Sequence, residues 1–149
     1  MKTFLIIFII VITFIIFIIP FRKSKQATVT IRNQSFTVEV ADTDQKRTKG
    51  LSGRNSLDQK TGMLFVFDTA DFYSFWMKEM KFPIDILFIR DNKIVTIAQS
   101  VPKPKDDTAP AGLLLYKPAQ AVNYVLEINA GLSQKYGFEE GDIVVIKLP

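Results

Sequence analysis

The chain has 149 residues, with nineteen basic and fifteen acidic side chains, and it contains neither His nor Cys. That length supports one domain with a real core and is short for two. The missing imidazoles and thiols exclude Ser-His-Asp and Cys-His nucleophile systems, zinc sites of the usual nitrogen and sulfur type, and disulfides. Any chemistry falls to carboxylates, lysines, hydroxyls or backbone groups, and no metal or cofactor is expected.

The first element is the run TFLIIFIIVITFIIFIIPF, residues 3–21, which carries no charge. As a helix rising about 1.5 Å per residue it would be roughly 28 Å long, close to the hydrocarbon thickness of a bilayer. Pro20, Phe21, Arg22 and Lys23 close it without a small-residue cleavage pattern. The expectation is an uncleaved single-pass anchor, residues 1–25 with the basic flank, rather than a cleaved signal. Flanking charge is almost balanced across the run and leans slightly to a cytoplasmic domain. An apolar segment beginning at residue 3 behind a single Lys has the layout of an export signal, and on that ground the domain is expected to be extracytoplasmic.

The net charge of +4 belongs to the same region, because Lys2, Arg22, Lys23 and Lys25 account for it. From Gln26 onward fifteen basic and fifteen acidic residues cancel. A nucleic-acid partner is therefore not expected, since it would need a cationic footprint on the domain itself.

Residues 26–149 read as one β-rich domain. ATVTIRNQSFTVEVA alternates apolar and polar residues, with Asn33-Gln34-Ser35 as the expected hairpin turn. Asp42 is the expected N-cap of a short helix through TDQKRTK, and Gly50 its left-handed terminus. LSGRNSLDQKTG is a loop, GMLFVF a buried strand, and DTADFYSFWM turn and strand. KEMKFP breaks the pattern, because Pro83 disfavours helix at Phe82, and IDILFI follows as a strand. RDNK turns into IVTIAQ, and SVPKPKDDTAPAG is a loop rich in Pro and charge. LLLYKPA, VNYVLEI, a turn or helix at NAGLSQKYG, and DIVVIKL complete the chain. About eight short strands with two short helices suggest a mainly β (α+β) fold, a compact barrel-like sheet covering its own edges.

Three blocks together resemble the uncharacterised family known as domain of unknown function 192: RTKGLSGRNSL running into GMLFVF, then FWMKEMKFPIDILFI, then VLEINAGLSQKYGFEEGDIV. The similarity spans residues 28–148. It implies a small domain, often exported or anchored, and it carries no established activity. Ser52 departs from the family pattern, which has a large apolar residue after Gly-Leu. The ending YGFEEGDIVVI is also similar, at the level of fold alone, to the last strand of cradle-loop barrels.

Four residues stand out as candidates. Asp85 lies inside an apolar run, so its carboxylate must be paired or hydrogen-bonded if buried. The favoured role is architectural, with the WMKEMK corner, Lys78 or Lys81 as its partners; the competing role is an acid or base in a cleft. Glu127 shares a strand face with Asn123, Val125 and Asn129, opposite Tyr124, Leu126 and Ile128. If Asp85 and Glu127 lined one pocket about 5–9 Å apart, they could serve as a glycosidase-like pair.

Trp76, with Phe72, Tyr73, Phe75 and Met77, could stack a sugar or apolar ligand, although small cores are built from the same residues. Lys78 could be an amine nucleophile, but an edge lysine that discourages aggregation is the simpler reading. Met63, Met77 and Met80 suit gap filling better than copper ligation. Gly141-Asp142 reads as an Asx turn. The functional expectation is a non-catalytic binding or envelope-associated module with a groove around Trp76, Lys78, Asp85 and Glu127. The alternative is a carboxylate-dependent hydrolase acting on a glycan or similar polymer. Beyond the membrane, a protein or glycan partner fits either, including one docking at the 100–112 loop.

Overall fold

The computed structural model describes residues 24–105 and 108–149; the expected anchor, residues 3–21, lies outside the described residues. Among the described residues no helix is long and apolar enough to cross a membrane.

Seven strands form one sheet. They are β1 (Gln26–Ile31), β2 (Gln34–Ala41), β3 (Thr61–Asp71), β4 (Ile84–Arg90), β5 (Lys93–Val101), β6 (Val122–Asn129) and β7 (Val144–Lys147). Their spatial order is β5-β4-β6-β3-β2-β1-β7. Two short helices accompany them, α1 (Asp44–Lys49) and α2 (Leu132–Tyr136).

The β1–β2 hairpin turns at Arg32-Asn33, one step before the expected position, so Gln34 and Ser35 belong to β2. Arg32 takes the positive φ of 51° that this two-residue turn needs. Its guanidinium is held by Asp142 at 2.8 Å and Glu139 at 3.2 Å. Asp142 also accepts the Glu139 N–H, three residues back, whereas the Val144 N–H goes to the Asn92 carbonyl, so the expected Asx turn into the last strand does not form.

The β2–β3 pair is parallel, so the chain must cross over between them, and α1 with the loop to residue 60 supplies the crossover. Thr43, not Asp42, caps α1, accepting the Lys46 N–H. Asp42 instead holds Lys25 and Lys46, at 2.8 and 2.7 Å, and both cations draw its carboxyl below the ordinary range.

Eight strands reduce to seven because DFYSFWM and LLLYKPA pair only through the single bridge Phe75–Tyr116. The edges β5 and β7 meet at one end, through the Lys93–Ile143 bridge and the Ile94 N–H to Asp142 carbonyl bond. The sheet is thus a half-barrel rather than a closed barrel.

Strand alternation sends side chains into two cores. One face carries Val29, Ile31, Phe36, Leu64, Leu87, Ile89, Leu126 and Ile128, closed by Leu132 and Phe138. The other carries Met63, Phe65, Ile84, Ile86, Phe88 and Val125, covered by Leu51, Met77 and Met80. Residues 84–89 are all buried, which explains why that strand is apolar on both faces.

Candidate functional site

Asp85 and Glu127 sit on neighbouring strands, and the register decides their relation. In the β4–β6 ladder Asp85 pairs with Ile128, and Ile86 pairs with Glu127. Cross-strand partners share a face, and successive residues alternate. Asp85 therefore points with Ile128 into the first core, and Glu127 points with Ile86 into the second. The sheet separates them, so they line no common pocket and do not form a two-carboxylate pair.

Asp85 has no exposed surface. Oδ1 accepts the N–H of Ser100 at 2.7 Å and of Gly131 at 3.0 Å, and Oδ2 accepts that of Ser133 at 2.8 Å. Backbone donors do hold it, but they come from the end of β5 and the start of α2. Among the described residues neither the WMKEMK corner nor a lysine takes part. Lys81 donates to Asn55, and Lys78 lies 4.0 Å from Glu79. Ser100 adopts a φ of 50°, an uncommon backbone state that the bond to Asp85 fixes. Asp85 thus ties β4, β5 and α2 together.

Glu127 is different in kind. It is 5% exposed and has no hydrogen-bond partner among the described residues, between Met63 of β3 and Ile86 of β4. Burial pushes its carboxyl up to about 8, while the Arg54 guanidinium pulls weakly the other way. At neutral pH it is protonated, and so it offers an O–H donor as well as an acceptor.

Glu127 forms the floor of a cleft of about 280 Å³. Phe65, Phe67, Tyr73, Phe75, Trp76 and Met80 make its apolar walls, and Arg47, Lys49 and the Gly50–Ser52 loop its rim. The walls are braced: Phe67 stacks on Tyr73 at 3.6 Å between centroids, and Phe75 meets Phe65 edge-on at 4.9 Å. Trp76 remains 47% exposed, with the Lys78 ammonium 5.8 Å from its ring. Lys78 borders an adjoining groove shared with Lys49 and Trp76.

Of the four sequence candidates, Glu127 and Trp76 share the cleft, Lys78 stands beside it, and Asp85 is on the opposite face. Met63, Met77 and Met80 are core residues. Among the described residues no group of His, Cys, Asp or Glu could hold a metal ion.

Sequence reasoning missed the basic side of the site. Arg54 makes a two-pronged pair with Glu39, at 2.5 and 2.9 Å, which holds Glu39 below the ordinary carboxylate range. Arg47 bonds Asp44 and the Val66 carbonyl, at 2.7 Å each, and lies 5.3 Å over Phe67. The signal in the sequence was the RTKGLSGRNSL block, which holds Arg47, Lys49 and Arg54. Ser52, where the family pattern has a large apolar residue, donates to the Lys78 carbonyl at 2.8 Å, and the Gly53 N–H reaches the Glu79 carbonyl at 3.0 Å. These two bonds clamp one rim of the cleft to the other.

The family model DUF192, described as "Uncharacterized ACR", matches residues 27–146. No curated protein matches the chain. Among solved structures, a protein of unknown function from Novosphingobium aromaticivorans is 32% identical, with a TM-score of 0.72 over 85% of this chain and 89% of that one. A Sinorhizobium meliloti protein, provisionally described as a transcription regulator, is 31% identical, with a TM-score of 0.70 over 82% of this chain and 92% of that one.

Proposed function

The chain belongs to the DUF192 family, and from the cleft just described we propose that it is a non-catalytic binding module that captures a small ligand over Glu127. The observation that carries this reading is a buried, unpartnered carboxyl opening into an aromatic-walled cleft. Among the described residues only the Ser133 hydroxyl is a fully sealed side-chain polar atom without a partner, so the Glu127 oxygens still reach the cleft, where a ligand can bond to them. The hydrolase reading needed a second carboxylate across the cleft, and Asp85 is turned away from it.

The module is held at a membrane by residues 3–21 and works on the extracytoplasmic side. Support for the anchor is the uncharged run itself. Ser24, the first described residue after it, lines a neighbouring cleft with Lys49 and Gly50. Protease digestion of intact and opened cells tests the side: cleavage only in opened cells contradicts it.

Native mass spectrometry of the full chain released from nanodiscs tests the binding reading. A stoichiometric small molecule, held by wild type, lost in Glu127→Leu and unaltered by incubation, is the expected result. Conversion of a glycan polymer that Glu127→Gln abolishes would make the protein an enzyme instead.

A further inference from the structure

The chemistry of the cleft narrows the class of ligand. Lys78 stands outside it, against Trp76 and 4.0 Å from Glu79; of the three cations nearer Glu127, two are already satisfied. Arg47 is paired with Asp44, and Arg54 with Glu39. Lys49 is exposed at the end of α1 and has no partner among the described residues. It borders the Glu127 cleft and both neighbouring ones. The site therefore presents one unspent positive charge at its mouth, a buried carboxyl without a partner at its floor, and rings between them.

Resting on the binding reading above, we propose that the cleft takes a small monoanionic carboxylate with an aromatic or apolar body, its anion lodged between the Lys49 ammonium and the Glu127 carboxyl. One ammonium and one O–H donor suit the two oxygens of a carboxylate, whereas a phosphate dianion offers more acceptors than this pair can meet. A cavity of about 280 Å³ lies at the small end of ligand pockets and suits a single ring. An amine would face three cations and a carboxyl that holds its proton.

The groups around Glu127 all bear on this choice. From the crossover come Arg47, Lys49 and Arg54, and from the 73–80 segment come Tyr73, Trp76 and Met80. The adjacent strands contribute Met63 and Ile86, and Asp85 lies on the far face.

Trp76 is the single tryptophan of the chain, so its emission reports on the cleft directly. The full chain in zwitterionic nanodiscs is titrated with benzoate, benzylamine and methyl glucoside at pH 7 and 9.5. Benzoate is expected to saturate the Trp76 signal at pH 7. At pH 9.5 only about 3% of a carboxyl titrating near 8 keeps its proton, so binding should weaken roughly 30-fold. Lys49→Ala should weaken it about tenfold or more. Glu127→Gln, which keeps an N–H donor, should bind with most of that pH loss removed.

Saturation by benzylamine or methyl glucoside in place of benzoate would overturn the carboxylate class and leave the binding reading intact. Benzoate binding that Lys49→Ala does not change would overturn it as well. Silence with every probe refutes the inference, and an empty native mass spectrum alongside that silence would remove the binding reading too.

Discussion

Replacing Asp85 by Asn removes one acceptor oxygen and a charge while changing the shape very little. The carboxylate now serves three backbone donors, two on Oδ1 and one on Oδ2. An asparagine keeps one oxygen and turns an NH2 towards the remaining donor. The least costly orientation leaves the oxygen on Ser100 and Gly131 and abandons the Ser133 N–H, which is buried at the start of α2. An unsatisfied buried donor costs about 1–3 kcal/mol. The two retained bonds lose their charge assistance, which roughly halves each. Halving two bonds of about 1.5–3 kcal/mol each adds about 1.5–3, so a total of roughly 2.5–6 kcal/mol follows, read by urea denaturation of a chain beginning at Ser24 with Trp76 emission as the signal. Ligand binding by the folded fraction should be unchanged, because the cleft is across the sheet. Unaltered stability with lost binding would refute the architectural role.

Three further outcomes are expected. Between about pH 4.5 and 8 the folded Glu127 binds a proton that the unfolded chain releases, so stability falls as pH rises through that window. The slope approaches about 1.4 kcal/mol per pH unit, and Glu127→Gln should flatten it in denaturant titrations; the carboxyls drawn downward, Glu39, Asp42 and Asp142, act only at lower pH. Gly62→Ala would put a Cβ 2.5 Å from the Glu127 backbone carbonyl, an atom of the central sheet that cannot move freely. It should destabilise by about 1–3 kcal/mol or more in the same assay. The Ser133 hydroxyl is buried without a hydrogen-bond partner, so Ser133→Ala should be neutral or stabilising by up to about 1 kcal/mol, and a clear loss would reveal an uncounted bond.

Local patterns carried much of this fold. Alternation placed Val125 and Glu127 on one face of β6 and Tyr124, Leu126 and Ile128 on the other, and the two cores divide in that way. Gly50 ends α1 as expected and with a positive φ of 48°, although its ψ of −139° lies outside the left-handed helical state anticipated for it. The errors fell where distant residues decide. DFYSFWM has strand composition, yet its neighbours in space are the α1 crossover and the loop around Tyr116, so it forms a cleft wall rather than a ladder. The burial of Asp85 was legible from its apolar run. Its partners were not, because Ser100, Gly131 and Ser133 approach only when β4, β5 and α2 are assembled.

The site divided along the same line. Asp85 and Glu127 were both singled out as acids in apolar strands, and only the ladder register separates them. A one-residue slip in β4 against β6 would have turned both to one face. Lys49 and Arg54 lie in a polar crossover where composition distinguishes no cation from another, and their meaning comes from which of them has a partner.

Anion capture in the cleft depends most on the protonation of Glu127, and a carboxyl-carbon NMR titration of that residue reads it directly. A midpoint near 8 is expected in the unliganded protein. A midpoint near the ordinary 4.5 would mean that the carboxyl is hydrated or paired, and the cleft would then have no neutral donor at its floor.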